Sequence, residues 1–383
     1  MPDRPKERPN GDRRPGASPG LPDDQRAAFR AEREARHAAR EAKRREAQRL
    51  RRAAMLRRLP KIVVPLLIVG GAVFTGLHLS SGNGDPTSPT TVAQAEAGEP
   101  EFEDDGQTVA NGPITAPDSA ALLDLKLDGT TDAFSISFDK PPRSGLLFDL
   151  DDGRVLWRKD PTRVLPIASV TKMMTAMVVV NELKEGAKIK ITNEALRYTG
   201  SGVGVLPKGK KVGLSAMLHG LLLASGNDAA IALAIAASGS QKAFIRDMNL
   251  RAQSMGLTCT HYTSPSGIVD KGNHSCAVDL AVQAKALLAN PRLATIVGRK
   301  NATLPFPIKG GKLFLYNHNP LLREDFPGVI GVKTGYTDAA GKTFVAAVRH
   351  KGHRYGLVLL HSPDIGKQSK QLFERAYEAD RGA

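Results

Sequence analysis

From Ser144 onward apolar positions fall into short alternating runs and helical spacings; before it, one long apolar block interrupts an otherwise polar chain. Gly145 to Leu150 and Arg154 to Lys159 flank the turn residues Asp151-Asp152-Gly153, which predicts a strand pair. Helical spacing covers Ser169 to Leu183, Leu214 to Ala224, Asp228 to Ala237, Gln241 to Met255 and Ser275 to Ala289. Strand-like runs return at Lys312 to Tyr316, Val329 to Lys333, Thr343 to His350 and Arg354 to Leu360, and an amphipathic helix is predicted over Ile365 to Asp380. Strands first, helices in the middle, then strands and a helix again predict the α+β class. The expected architecture is an antiparallel sheet flanked by helices with an inserted all-helical subdomain, without regular βαβ alternation.

The long apolar block is Ile62 to Leu79, 18 residues in which only His78 can ionise. At about 1.5 Å per residue it just spans a hydrocarbon core of roughly 30 Å. Arg51, Arg52, Arg57, Arg58 and Lys61 crowd its N-terminal side, and Ser80, Ser81, Gly82 and Asp85 follow it. The positive-inside rule then makes the chain a single-pass membrane protein, with residues 1–60 a cytoplasmic basic tail and 61–80 a transmembrane signal anchor. Residues 81–140 read as an extracytoplasmic linker, and 141–383 as an extracytoplasmic folded domain. A cleaved signal peptide is the rival; Ala93-Gln94-Ala95 resembles a cleavage site but lies far beyond the apolar block.

Charge changes the picture less than its total suggests. The net charge is +15, yet residues 1–61 alone hold 19 Lys or Arg against 9 Asp or Glu. The basic surplus belongs mainly to the tail, so no nucleic-acid partner is expected for the folded part. The nine histidines form no H-E-x-x-H pair, and neither a metal nor another cofactor is expected.

Three short motifs carry the candidate chemistry: Ser169-Val170-Thr171-Lys172, Ser225-Gly226-Asn227 and Lys333-Thr334-Gly335. Each alone is common, and each has an ordinary reading as a cap, a surface turn or a strand end. Together and in this order they form the S-x-x-K, S-x-N, K-T-G set of serine acyl-transfer enzymes. Ser169 and Lys172 are three apart at a helix start and share a face. A serine hydroxyl needs a base, and a lysine serves only when burial and a neighbouring cation such as Lys333 lower its pKa. Lys333-Thr334-Gly335 is expected to end a strand, with Lys333 and Thr334 gripping a carboxylate and Gly335 allowing close approach of a ligand.

These residues resemble the D-alanyl-D-alanine carboxypeptidases, the low-molecular-mass penicillin-binding proteins. Pro166-Ile167-Ala168-Ser169-Val170-Thr171-Lys172-Met173-Met174-Thr175 is similar to their P-A-S-x-T-K-x-M-T block. Ser225-Gly226-Asn227-Asp228-Ala229 and Lys333-Thr334-Gly335-Tyr336-Thr337 with Ala340-Gly341 are similar to the other two blocks, over roughly residues 143–365. The resemblance implies Ser169 as acylated nucleophile, Lys172 as base and Ser225 as proton shuttle. It implies Asn227, Lys333, Thr334, Gly335 and Tyr336 as substrate contacts, with backbone N–H groups of Ser169 and Tyr336 forming the oxyanion hole. The implied substrate is the peptidoglycan stem peptide ending in D-Ala-D-Ala, and β-lactam antibiotics are implied covalent inhibitors. The sequence sets no oligomeric state.

A serine β-lactamase on the same scaffold is disfavoured, because no glutamate occurs between Glu194 and Glu324 to activate a deacylating water. DD-endopeptidase, transpeptidase or penicillin-sensor activity stays open, since the three motifs serve all of them. The only two cysteines, Cys259 and Cys276, lie beyond the apolar block, where a disulfide can persist. A disulfide is favoured, with two unpaired thiols as the alternative.

Overall fold

The computed structural model describes Leu123, Leu125, Leu127 and residues 132–379. The basic tail, the apolar block Ile62 to Leu79 and most of the expected linker lie outside the described residues. Among the described residues no helix is long and apolar enough to cross a membrane.

Strands β1 (Ser144–Asp149), β2 (Val155–Lys159) and β3 (Leu165–Pro166) lead into a 3-10 turn at Ala168–Thr171 and helix α1 (Lys172–Glu182). The helical part continues through β4 (Lys188–Lys190), α2 (Asn193–Leu196), β5 (Lys211–Gly213), α3 (Leu214–Leu222), α4 (Asn227–Ser238) and α5 (Gln241–Ser254). Next come β6 (His274–Ser275), α6 (Ala277–Leu288), α7 (Pro291–Val297), the hairpin β7 (Asn301–Pro305) and β8 (Lys312–Tyr316), and α8 (Pro320–Arg323). The described chain closes with β9 (Val329–Thr337), β10 (Gly341–His350), β11 (His353–Ser362) and α9 (Ile365–Ala379).

The main sheet has the order β2-β1-β11-β10-β9, with every pair antiparallel. Its first strand and its last three are thus joined across the helical insertion, as the expected architecture requires. Successive residues of a strand point to opposite faces, and both faces here are dry. Leu146, Phe148, Val345 and Val358 join the core beneath the helical insertion, whereas Leu147, Phe344, Ala346 and Leu357 join a second core. That second core is completed by Leu372, Phe373 and Ala376, the apolar stripe of α9.

Three differences from the sequence expectation have local causes. Residues 132–140, assigned to the linker, pack on the sheet: Phe134, Ile136 and Phe138 lie against the second core and Ala133 N–H donates to Leu156 O. Strand β9 does not end at Lys333. Thr343 pairs with Gly335 and Gly341 with Thr337, so the ladder carries the K-T-G motif inside the strand and the turn falls at 338–340. Helix α1 begins at Lys172, with Ser169 in the preceding 3-10 turn.

Candidate active site

The turn bearing Ser169 is held from two sides. Ala168, just before it, has φ 48°, a left-handed backbone that an alanine adopts only when its surroundings impose it. Gly267, at φ 75°, packs against this turn, where a Cβ would collide with the Ala168 carbonyl. Strand β9 closes the other side: a Cβ on Gly335 would lie 2.9 Å from Ser169 N and 2.5 Å from Thr343 Oγ1. Gly335 therefore lets the strand lie against the serine turn, a role more specific than the ligand clearance expected of it. Thr343 secures the same junction by donating to Ile167 O at 3.1 Å.

Lys172 points back from the first turn of α1 and is fully buried. Its Nζ lies 2.8 Å from Ser169 Oγ, 2.7 Å from Asn227 Oδ1 and 2.6 Å from Ser266 O. Three segments thus supply three hydrogen-bond partners around the amine. No carboxylate is among these partners. Burial first, and then the charge of Lys333, hold the Lys172 amine well below the ordinary lysine range, with Asp228 opposing in part.

The S-x-N motif links α3 to α4. Ser225 sits at φ 57°, which turns the chain between the helices, and Asn227 opens α4. Asn227 is fixed at both ends of its amide, accepting from Lys172 and donating from Nδ2 to Thr199 O at 2.6 Å. Asp228, also buried, accepts from the N–H groups of Val203, Gly204 and Ala229, which ties the 199–204 loop to the helix. Lys333, 2% exposed, reaches from β9 to donate to Ser225 Oγ at 3.0 Å and to Thr334 O at 2.7 Å. Burial lowers its pKa to about 7. The His318 imidazole is likewise lowered, by desolvation and then by Lys333 and Arg323.

Two connected groups result: Ser169–Lys172–Asn227 and Ser225–Lys333. A buried, proton-poor amine on a serine hydroxyl, beside a second depressed lysine on another, is an acyl-transfer arrangement. The family profile described as D-alanyl-D-alanine carboxypeptidase matches residues 138–364, more than half of the chain and all three motifs. The chain belongs to that family.

The relatives agree with this membership. The D-alanyl-D-alanine carboxypeptidase DacB2 of Mycobacterium tuberculosis is 38% identical over 62% of this chain and 82% of its own length. DacF of Bacillus subtilis is 33% identical over 59% of this chain and 58% of its own. The crystal structure of a D-alanyl-D-alanine carboxypeptidase from Mycobacterium tuberculosis superposes with TM-score 0.60 at 34% identity, covering 65% of this chain and 96% of that one. A Streptomyces DD-transpeptidase structure gives TM-score 0.60 at 29% identity, covering 64% and 100%. The chain is accordingly a serine-type D-alanyl-D-alanine carboxypeptidase with the penicillin-binding fold.

Within this carboxypeptidase fold, two of the expected site residues enter neither lysine group through their side chains. Tyr336 turns outward, 62% exposed, with its hydroxyl on Asp338 Oδ1. Thr334 is half-buried and contributes its carbonyl to Lys333. Sequence reasoning missed Ser266, whose carbonyl completes the Lys172 shell, because a backbone acceptor leaves no residue-type signal. It also missed Thr199 and Asn273, the latter buried with Nδ2 2.9 Å from Thr171 Oγ1. The Cys259–Cys276 disulfide is present, with Cα atoms 5.6 Å apart, and it closes the loop that carries Ser266.

Proposed function

We propose that the enzyme removes the terminal D-alanine from peptidoglycan stem peptides through an acyl-enzyme on Ser169. Lys172 is the base: its Nζ, held well below the ordinary lysine range by burial and by Lys333, takes the Ser169 proton in its neutral form as Oγ attacks the carbonyl carbon of the penultimate D-alanine. The backbone N–H groups of Ser169 and Tyr336 receive the developing oxyanion. The C–N bond breaks, and Ser225, polarised by Lys333, relays the proton taken up by Lys172 to the leaving amine, so that Lys172 is neutral again. Lys333 and Thr334 hold the terminal carboxylate, and Asn227 orients the peptide while fixing Lys172. Water then cleaves the ester, returning its proton through Lys172.

The observation that carries this reading is the buried Lys172 amine 2.8 Å from Ser169 Oγ with no carboxylate among its hydrogen-bond partners. Penicillin, whose lactam carbonyl and carboxylate present the same two handles, acylates Ser169 in this reading. The test is free D-alanine released by the full chain from a pentapeptide ending in D-Ala-D-Ala, with mass spectrometry of the penicillin adduct. No released D-alanine, or an adduct on another peptide, would refute it. Transfer of the acyl group to an amine is a second reading, supported by the Streptomyces DD-transpeptidase among the structural neighbours; adding an amino-acid acceptor and looking for the transfer product separates the two.

The location belongs to the same proposal. Ile62 to Leu79 anchors the chain, with the basic tail cytoplasmic and the catalytic domain outside. Protease added to spheroplasts should remove the domain and spare a tag at Met1; loss of the tag reverses the orientation, and a mature terminus at Glu96 replaces the anchor with a cleaved signal.

A further inference from the structure

The hairpin β7–β8 lies outside the three motifs, and among the described residues nothing covers the two large rings on its outer face. Along β8 the residues alternate strictly: Leu313 and Leu315 are buried, while Lys312, Phe314 and Tyr316 face solvent. Phe314 is 62% and Tyr316 70% exposed, two large rings on one face of one strand. Residues two apart on a strand lie about 6.6 Å from one another, so the rings form a row. An unpartnered pair of this size is a candidate docking surface.

The neighbours on that face say what it fits. Thr303 stands opposite Phe314 and Asn301 opposite Tyr316, so each ring has a hydroxyl or an amide beside it rather than another apolar side chain. Ring faces flanked by small hydrogen-bonding groups suit a sugar, whose C–H face stacks on an aromatic ring while its hydroxyls bond to the polar neighbours. The row also carries positive charge: Lys312 shares the exposed face of β8, and Lys309 is exposed in the turn that joins the two strands. A neutral glycan carrying carboxylate-bearing peptides matches that balance.

The row runs into the active site. The exposed alternation continues past Tyr316 to His318, whose backbone N–H donates to Leu223 O at 3.3 Å, two residues before Ser225. We propose that the outer face of this hairpin is a glycan-docking platform: Phe314 and Tyr316 stack on sugar rings of the peptidoglycan strand whose stem peptide enters the Ser169 site. This rests on the peptidoglycan reading above and adds where the polymer lies.

The test compares the full chain with its Phe314→Ala/Tyr316→Ala and Phe314→Trp/Tyr316→Phe variants. Three measurements are made: co-sedimentation with purified peptidoglycan sacculi, D-alanine release from uncross-linked polymer, and D-alanine release from the soluble pentapeptide. The alanine pair should lose sacculus binding and polymer turnover about tenfold or more, the aromatic pair should retain both, and pentapeptide turnover should be unchanged in both. Unchanged sacculus binding in the alanine pair overturns the proposal. So does an equal fall on polymer and pentapeptide, which would place the rings' effect inside the reaction. Loss of binding to phosphatidylglycerol vesicles but not to sacculi would make the face a membrane dock instead. Failure of the wild type on the pentapeptide refutes the catalytic reading, whereas sacculus binding reads the platform without turnover.

Discussion

The two faces of the main sheet are equally dry and differently loaded. On the α9 side the contacts are mainly apolar or aromatic: Phe344, Leu357 and Leu359 meet Leu372 and Phe373, with the neutral Gln368 and Ser369 as buried polar groups and no buried lysine among them. On the insertion side the same sheet borders two buried lysines, Lys172 and Lys333, within a core of helices. A buried amine loses hydration that neutral acceptors replace only in part, so it sheds its proton readily. That cost is accepted on one face because the reaction needs an amine that is a base at neutral pH. The other face supplies stability without such a burden. Folding and chemistry are therefore separable by substitution, and each prediction below tests that separation.

The largest effects belong to the lysine face. Ser169→Ala should abolish the penicillin adduct, and Lys172→Ala should slow acylation by several orders of magnitude with the thermal midpoint unchanged or raised. A mild loss in Lys172→Ala would mean that another group is the base.

The pH profile gives the next test, and its sign follows from the two depressed amines. In the proposed mechanism Lys172 must be neutral, so kcat/KM should rise as pH climbs through its lowered pKa. The same mechanism uses Lys333 as a cation, so kcat/KM should fall as pH passes about 7, where Lys333 gives up its proton. Lys333→Gln should lower the rate, remove the alkaline limb and move the acid limb to higher pH, because the charge disfavouring protonation of Lys172 is gone. An alkaline limb that survives this substitution assigns it elsewhere. On the opposite face, Phe373→Ala should cost about 3–5 kcal/mol in denaturant unfolding and leave the acylation rate of the folded enzyme unchanged. A fall in that rate would show that the two faces are coupled.

How much of this was readable in the residues differs between the same regions. The α9 stripe and the alternation of β10 and β11 follow from periodicity, because burial of a face imposes a period on a sequence. The three motifs were legible for a different reason: side-chain chemistry restricts residue type at Ser169, Lys172, Ser225, Asn227 and Lys333. What stayed hidden was done by backbone. The Ser266 and Thr199 carbonyls belong to no particular residue type, and the close approach of β9 to the serine turn appears in sequence only as Gly335. Helix α7 was missed although its signal was present, since Asn290 caps it and Pro291 occupies its first turn. Strand β7 was missed because Asn301-Ala302-Thr303-Leu304-Pro305 ends in a proline and is only weakly apolar.

The smallest expected effect concerns the disulfide, which belongs to the lysine face by position and to stability by nature. Cys259 and Cys276 are 17 residues apart, and a closed loop of that size contributes about 3 kcal/mol on the chain-entropy account. Thiol titration of the denatured, unreduced protein should find almost no free thiol; two per chain would remove the premise. The loop between the cysteines carries Pro265 and Ser266, whose carbonyls accept from Thr175 and from Lys172. A purely structural staple would behave like Phe373: the Cys259→Ser/Cys276→Ser variant would lose stability and keep its acylation rate. The hydrogen bond from Lys172 to Ser266 predicts otherwise, because slackening the loop displaces one of the three hydrogen-bond partners that aim the amine at Ser169. Acylation should slow roughly tenfold in protein that is still folded, a loss of aim rather than of structure. An unchanged rate beside the lost stability would return the bond to the structural side of the comparison, with Ser266 placed by its hydrogen bonds to Ser264 and Ile268.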